Sequence, residues 1–208
     1  MKIIKKFVLS DMGVNCFLIQ SNNKIILIDA PSGIEAVTNY LDEHNLKLDY
    51  VLVTHIHFDH ILGANHLYKN GYIDEFYVSP KEMDLFLDNS EKGNLGGKYG
   101  LELNFNGKVS NLEDLDAKAL DLEIAYIEGH SMQSAVYIFN KDKTIFSGDT
   151  LFHGAIGRSD FPYGDYNKLR DGINEKIMIK EDYKVYPGHG FMTTTTAEKG
   201  NHLLGKGE

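Results

Sequence analysis

Short apolar runs alternate with amphipathic stretches along most of the chain. Runs rich in β-branched and aromatic residues predict strands at 16–20, 24–30, 50–54, 75–79, 122–129, 135–140, 144–148 and 184–188. Apolar positions that recur every three or four residues predict helices at 31–45, 59–71, 80–88 and 166–179. Because strands and helices alternate in two successive halves, the pattern predicts an α/β architecture with sheets layered between helices.

Residues 89–107 interrupt this pattern, because glycine and asparagine dominate the segment. The composition predicts a long loop. Long loops in compact domains often act as lids over a site, and the alternative is a mobile surface loop. Within this segment, Lys98 and Tyr99 are candidate substrate contacts.

Side chains of the metal-binding type follow four of the predicted strands directly. They are His55, His57, Asp59 and His60 after 50–54, His130 after 122–129, Asp149 after 144–148, and His189 after 184–188. In open α/β sheets, sites form beyond the carboxyl ends of the strands. We therefore expect these seven side chains to meet at one edge.

Imidazole and carboxylate groups are ligands for zinc and other borderline divalent ions. The spacing within THIHFDH, residues 54–60, is too tight for one helix face and suits a strand-to-helix turn. The sequence thus predicts two metal sites that share a bridging ligand. The first would use His55, His57 and His130, the second Asp59, His60 and His189, and the bridge would be Asp149.

Structural roles stay open for single residues. Asp59 could cap the following helix, Asp149 could cap a turn, and His189 could belong to a simple turn. Arg158 is one of only two arginines, and its guanidinium could bind a substrate carboxylate or pair with Asp160. The apolar setting of the single cysteine favours a buried, inert thiol.

Composition narrows the choice of partners. The 208 residues suffice for one sizeable domain, which we expect to cover 1–208. A net charge of −9 disfavours nucleic acid and anionic lipid as partners. One cysteine permits no intrachain disulfide, and the apolar run after Lys6 is too short for a signal peptide. These features predict a cytoplasmic protein that binds a small molecule.

Several segments resemble the motifs of the metallo-β-lactamase fold superfamily. THIHFDH resembles its T-H-x-H-x-D-H motif, and the later ligand motifs resemble, in the same order, GHSMQS (129–134), SGDTLF (147–152) and YPGHG (186–190). The segment GAIGRSDFP (154–162) is similar to the hydroxyacylglutathione hydrolase (type II glyoxalase) subgroup. The resemblance implies a four-layer αβ/βα sandwich with the metals at the edge of the two sheets.

This resemblance also implies a reaction. Two divalent ions, expected to be Zn²⁺ with iron or manganese as alternatives, would activate a shared water for attack on a thioester such as S-lactoylglutathione. Asp59 and Asp149 would serve both as ligands and as catalytic groups that orient the attacking hydroxide. The substrate would be a small anionic thioester. The extra C-terminal helical domain of type II glyoxalases has no counterpart in this sequence, so recognition of glutathione is open.

Three alternatives remain at this stage. Persulfide dioxygenases share the motifs but hold one iron, here on His55, His130 and Asp149. A lactonase would use the same hydroxide chemistry, whereas the commonest zinc β-lactamases use a cysteine ligand, and Cys16 is far from every ligand motif. The third alternative is a non-catalytic metal-binding protein. The sequence leaves the oligomeric state open.

Overall fold

Two β-sheets form the centre of the structure, a computed structural model that describes residues 1–205. The last residues of the expected domain, 206–208, lie outside this range. The first sheet has the order β1-β2-β3-β4-β5-β6, in which β1–β3 pair antiparallel and β3–β6 pair parallel. Its strands are β1 (Lys2–Leu9), β2 (Val14–Ser21), β3 (Lys24–Ile28), β4 (Tyr50–Leu52), β5 (Glu75–Val78) and β6 (Lys108–Asn111).

The second sheet has five strands in the order β13-β12-β9-β8-β7, and only β12 and β9 run parallel. A separate short hairpin joins β10 to β11. The strands are β7 (Glu123–Ile127), β8 (Ser134–Phe139), β9 (Thr144–Gly148), β10 (Leu151–Phe152), β11 (Ala155–Ile156), β12 (Lys184–Pro187) and β13 (Thr193–Thr194).

Helices cover the outer faces of both sheets. They are α1 (Glu35–Glu43), α2 (Phe58–Ile61), α3 (Ala64–Lys69), α4 (Tyr166–Lys176) and α5 (Thr195–Glu198). Short 3₁₀ helices lie at Pro80–Leu85, Gly96–Tyr99, Leu112–Asp114, Asn140–Asp142 and His202–Leu204. Within residues 1–205, no helix has the length and apolar character that crossing a membrane requires.

The alternation of side chains along the strands builds three separate apolar cores. On β2, Leu18 faces α1 and α3, whereas Phe17 and Ile19 face the second sheet. On β8, Tyr137 faces the first sheet and Val136 faces α4. Successive residues of a strand point to opposite faces, so each sheet is apolar on both sides. The layers therefore run helix, sheet, sheet, helix.

The predicted helices are longer than the observed ones, for local reasons. The helix expected at 31–45 begins only at Glu35, because Gly33 adopts a left-handed conformation (φ +80°) in the turn before it. The helix expected at 59–71 is two short helices, α2 and α3. Between them Gly63 packs so closely that a Cβ would lie 2.3 Å from the carbonyl oxygen of Pro31. The segment expected as a helix at 80–88 is a 3₁₀ helix.

The sequence reading also missed β1, β6, β10, β11 and β13. Strand β1 is an edge strand whose lysines face solvent, so its sequence KIIKKFVL lacks a long apolar run. The other missed strands have only two to four residues. Short edge strands carry little periodic signal, and pairing with a neighbour decides their conformation.

Candidate metal centre

The loops that follow β4, β7, β9 and β12 meet at one edge of the two sheets. Direct hydrogen bonds join the sheets there. The backbone N–H of Ala135 donates to the carbonyl of Thr54 (2.6 Å), and that of Asn15 donates to the carbonyl of Gly188 (2.7 Å). The Asn15 side chain also donates to the carbonyl of Pro187 (2.8 Å). The backbone around the site is thus fixed from both sheets.

All seven predicted ligand side chains come together at this edge. Six of them form two adjoining groups, and a third group links the two. The ligand atoms within each group lie within 4.8 Å of one another. The first group contains His55, His57 and His130, the second contains Asp59, His60 and His189, and the linking group contains His55, His60 and Asp149.

Asp149 lies between the two groups. Its Oδ2 is 3.8 Å from Nε2 of His130 and 3.5 Å from Nε2 of His189. Its Oδ1 is 3.4 Å from Nε2 of His60. Ligands 2.0–2.1 Å from a tetrahedral ion are spaced about 3.4 Å apart. The carboxylate therefore has the position that a bridging ligand requires.

The imidazoles of His55 and His130 face each other through their Nε2 atoms, and the hydrogen bonds of both Nδ1 atoms make each Nε2 an acceptor. Nδ1–H of His130 donates to the carbonyl of Arg158 (2.8 Å), so its Nε2 carries a lone pair. The hydroxyl of Thr54 donates to Asp29, so it accepts from Nδ1–H of His55 (3.1 Å). The two Nε2 atoms are 3.3 Å apart, and both are acceptors. A cation satisfies such a pair.

The second group and Asp149 also contain buried polar atoms that lack a hydrogen-bond donor or acceptor. Nε2 of His60 and Oδ1 of Asp149 are buried, and although they lie 3.4 Å apart, neither makes a hydrogen bond. A buried polar atom without a partner costs about 1–3 kcal/mol. These orphaned atoms, the spacing of the ligand atoms and the chemistry of the donors all fit divalent metal ions.

Asp29 orients two of the ligand histidines, His60 directly and His55 through Thr54, and it was not predicted from the sequence. Its Oδ1 accepts from the backbone N–H of Thr54 (2.7 Å). Its Oδ2 accepts from the Thr54 hydroxyl (2.8 Å) and from Nδ1 of His60 (2.8 Å). Asp29 follows β3 directly, so the strand-end position that marked the ligands would have marked it too.

Asp59 and His189 both direct their side chains into the site, although each could have had a purely structural role. Asp59 lies inside the first turn of α2 and does not cap it, since the N-cap position belongs to His57. Nδ1 of His189 is bonded to the carbonyl of Met12 (3.1 Å), which directs Nε2 towards Asp59 (3.3 Å). Both side chains therefore point into the site.

The pKa values of the histidines differ between the two groups. Burial lowers the pKa of His57 to about 3, and burial together with neighbouring imidazoles lowers that of His55 well below its usual range. For His60, burial acts in the same direction, but the carboxylates of Asp59, Asp149 and Asp29 outweigh it and raise the pKa. Metal binding displaces protons from such groups. The first group offers neutral donors, and the second must release a proton.

Glu82 joins the two ligand loops and was also missed by the sequence reading. It is fully buried, and its carboxylate accepts from the backbone N–H of Ile56 (3.1 Å) and of Gln133 (2.9 Å). Ile56 lies between two ligands, and Gln133 follows the loop of His130. Burial raises the pKa of Glu82 to about 7. Its position in a 3₁₀ helix gave no sequence signal for this contact.

Of the three candidate substrate residues, Arg158 and Tyr99 line the cavity and Lys98 does not. The guanidinium of Arg158 is bonded to both oxygens of Asp160 (2.9 and 2.7 Å), the structural pairing that the sequence left open. Lys98 lies outside the cavity lining and pairs with Glu91 (2.9 Å), whereas Tyr99 lines the cavity. The apolar setting predicted for Cys16 agrees with its complete burial, which raises the thiol pKa.

A cavity of about 500 Å³ opens directly over the ligands. Its floor includes His57, Asp59, His130, Asp149 and His189. Its walls are mostly aliphatic and aromatic, and they include Phe58, Leu95, Tyr99, Phe152, Phe161 and Phe191. The volume suits a small molecule.

The family model of the metallo-beta-lactamase superfamily matches residues 9–189, which include every candidate ligand. The chain belongs to the metallo-beta-lactamase superfamily. Members of this superfamily are hydrolases that bind divalent metals, and the His/Asp cluster can hold such ions. The predicted resemblance is confirmed, and so is the predicted four-layer αβ/βα fold.

Individual relatives within the superfamily are similar over nearly the whole chain. Hydroxyacylglutathione hydrolase GloC of Haemophilus influenzae is 32% identical over 89% of both chains. Among solved structures, the BLEG-1 B3 metallo-beta-lactamase matches with a TM-score of 0.84 and 26% identity over 97% of this chain and 99% of its own. TTHA1623 in a di-iron-bound form matches with a TM-score of 0.82 and 25% identity over 95% and 98%.

Gly188 lies against the ligands, so replacing it should impair metal binding in this superfamily member. In Gly188→Ala, the new Cβ would lie 2.2 Å from Oδ1 of Asp149 and 2.8 Å from Cε1 of His60. Both side chains must move, and we expect fewer metal ions per chain by elemental analysis. Gly200→Ala is the matched control, because nothing lies within 4 Å of its Cβ. Equal metal content in the two variants would contradict the prediction.

Asp29→Asn should weaken metal binding without removing a ligand. The amide –NH₂ would face a donor, either the backbone N–H of Thr54 or Nδ1 of His60, so either the ligand loop or the imidazole would lose a hydrogen bond that orients it. Loss of such an orienting partner costs about 10–100-fold in metal affinity. Competition with a chromophoric chelator measures this. Asp49→Asn is the control: it alters a carboxylate that is bonded to Ile25 and Lys24, and it should keep the native metal affinity. A native metal affinity in Asp29→Asn would refute the role assigned to Asp29.

Glu82 should make stability depend on pH. Its folded pKa of about 7 lies above the unfolded value of 4.5, so its contribution is full below pH 4.5 and is lost as pH rises through 7. Relative to Glu82→Gln, the free energy of unfolding should fall by about 2–3 kcal/mol from pH 5 to pH 8. Urea unfolding of both proteins at both pH values measures the difference, in which other titrating groups cancel. Parallel pH profiles would contradict the prediction.

Proposed function

We propose that this chain is a dinuclear metallohydrolase that cleaves a thioester, with S-lactoylglutathione as the first candidate substrate. One observation carries the proposal: two complete donor groups adjoin each other, share the carboxylate of Asp149 and open into the same cavity. A site for one ion would not need the second group of Asp59, His60 and His189.

The ligands we propose are the seven side chains described above, with His55, His57 and His130 on one ion and Asp59, His60 and His189 on the other. Two divalent ions held there would supply Lewis acidity and lower the pKa of a water between them. Zinc is the expected metal, because imidazole and carboxylate suit it. Iron is the alternative, supported by the di-iron form of the similar TTHA1623.

The residues of the chain orient the reaction. The carboxylates of Asp59 and Asp149 lie 3.3 and 3.5 Å from Nε2 of His189, where they could accept hydrogen bonds from an attacking water. The thioester carbonyl would enter from the cavity above them. A thiolate leaves with little need for protonation, which suits a cavity whose only acidic floor groups are those two aspartates among residues 1–205.

The name of the GloC relative supports the thioester as the substrate class. The cavity volume of about 500 Å³ supports a small molecule rather than nucleic acid or a membrane surface. A negative charge on the substrate and a cytoplasmic location stay predictions from the sequence. Lactonase activity stays an alternative because lactone opening uses the same groups.

The first measurement is metal content together with activity. We expect close to two metal ions per chain on freshly purified protein, and hydrolysis of S-lactoylglutathione by the same sample. His189→Asn should lose one ion and about 100-fold or more in kcat, a loss typical of removing one stabilising group. The exposed His202 provides the matched control, since His202→Asn alters no cavity residue.

The dioxygenase alternative predicts the opposite result. Its three ligands would be His55, His130 and Asp149, whose ligand atoms also lie close together. One iron per chain, oxygen uptake with glutathione persulfide and no thioester hydrolysis would overturn the dinuclear hydrolase.

A further inference from the structure

Above its floor of ligands the cavity is lined mostly by apolar side chains, with His153 and Arg158 as polar exceptions. Phe58, Tyr99 and Phe161 form one part of the wall, and the rings of Phe58 and Tyr99 lie 4.9 Å apart. Phe152 and Phe191 lie on the side of His189, whose imidazole is 6.4 Å from the Phe152 ring. These aromatic side chains line the same cavity as the floor of ligands.

Apart from the metal ions proposed at its floor, the side chains of the cavity offer little positive charge to an anionic substrate. Among residues 1–205, Arg158 is the only lysine or arginine that lines it, and its guanidinium is bonded to Asp160 and lies 4.3 Å from the Phe161 ring. Lys98 is paired with Glu91 outside the lining. The net charge of −9 repels anions at longer range. Within the described residues, the cavity wall thus offers a substrate carboxylate no lysine or arginine that is free of an acidic partner.

The mouth of the cavity exposes apolar side chains to solvent. Phe191 is 83% exposed and Tyr99 is 50% exposed, yet both line the cavity. Met12 is exposed beside them. Clustered apolar groups in water mark a place where another apolar group binds.

The segment 89–107 delivers one of these walls in a strained conformation. Leu95 has a left-handed backbone (φ +68°), which is unfavourable for leucine, and its side chain is 3% exposed. The buried Asn94 holds it there: its Oδ1 accepts from the N–H of Gly96 (2.9 Å), and its carbonyl accepts from the N–H of Phe58 (2.8 Å). The loop is therefore anchored to the ligand helix α2, with an apolar side chain directed into the cavity.

We infer that the substrate carries a bulky aliphatic or aromatic group next to the scissile thioester, and that this group binds against Leu95, Tyr99 and Phe191. The inference rests on the proposed thioester hydrolysis and deepens it. Hydrolysis breaks the C–S bond with one water: the acyl carbon gains the oxygen as a carboxylic acid, and the sulfur leaves as a thiol. Polar parts of the substrate extend past the cavity mouth into solvent.

A substrate series on the metal-loaded protein tests this inference. The acyl series is acetyl, butyryl, hexanoyl and phenylacetyl thioesters of N-acetylcysteamine, and the thiol series is acetyl thioesters of ethanethiol and hexanethiol. Each buried methylene can raise kcat/KM by up to about fourfold. We expect at least about a tenfold rise from the smallest to the largest member of one series or both.

The outcomes separate the two proposals. Hydrolysis of S-lactoylglutathione or of small thioesters with no rise along either series would overturn the apolar-substrate inference and leave the hydrolase intact. No hydrolysis of any thioester by protein with two bound metals would overturn the proposed function, and the inference with it.

Two substitutions of Leu95 locate the effect. Leu95→Asn makes the wall polar, and asparagine tolerates the left-handed conformation, so we expect the hexanoyl-to-acetyl ratio of kcat/KM to fall by about tenfold or more. Leu95→Met keeps an apolar wall and should keep the ratio. The ratio does not depend on the folded fraction, so poor folding cannot imitate the effect.

Ile179→Ser is the surface control. Ile179 is 66% exposed and does not line the cavity, so this variant should match the unchanged protein. An unchanged ratio in Leu95→Asn would contradict the assignment of Leu95 to the substrate.

Discussion

The carboxylate of Asp29 is the interaction on which the site depends. It joins the end of β3 to the loop after β4 through Thr54, and it holds His60 by Nδ1. Through the Thr54 hydroxyl it also sets the tautomer of His55. One buried carboxylate therefore directs a lone pair from each of the two ligand groups towards the same space. Without it, these imidazoles would be free to turn and satisfy their nitrogens elsewhere.

Burying this many imidazole and carboxylate groups costs stability unless the groups bind a cation in the space between them. Two Nε2 acceptors 3.3 Å apart and an unpartnered pair on His60 and Asp149 would destabilise an ordinary core. A bound cation converts each of these deficits into a favourable contact. We expect folding of this edge and metal binding to be linked for that reason. The sheets supply the rigidity, since hydrogen bonds from Ala135 and Asn15 fix the loops on both sides.

The sequence predicted the layered fold and the meeting of seven side chains because both follow from short-range patterns. Strand ends are visible as apolar runs that stop at a polar residue, and the strand 144–148 has the predicted bounds. The contacts of Glu82 were not predictable in the same way. Each partner of Glu82 is more than twenty residues away, at Ile56 and Gln133, so only the folded chain reveals it. The predicted helix ends were wrong where a glycine forms a turn, as Gly33 does, or packs closely against another segment, as Gly63 does.

The residues proposed to bind the metals and those proposed to select the substrate lie on different kinds of backbone. The proposed ligands sit at strand ends and on α2, where two sheets hold the backbone. The apolar walls come from the segment 89–107 and from the residues after His189, which are loops that tolerate substitution more readily. Leu95 shows that such a loop can still be held firmly, because its strained backbone is anchored through Asn94 to α2. The same helix thus positions both the reacting centre and the wall that would select the substrate.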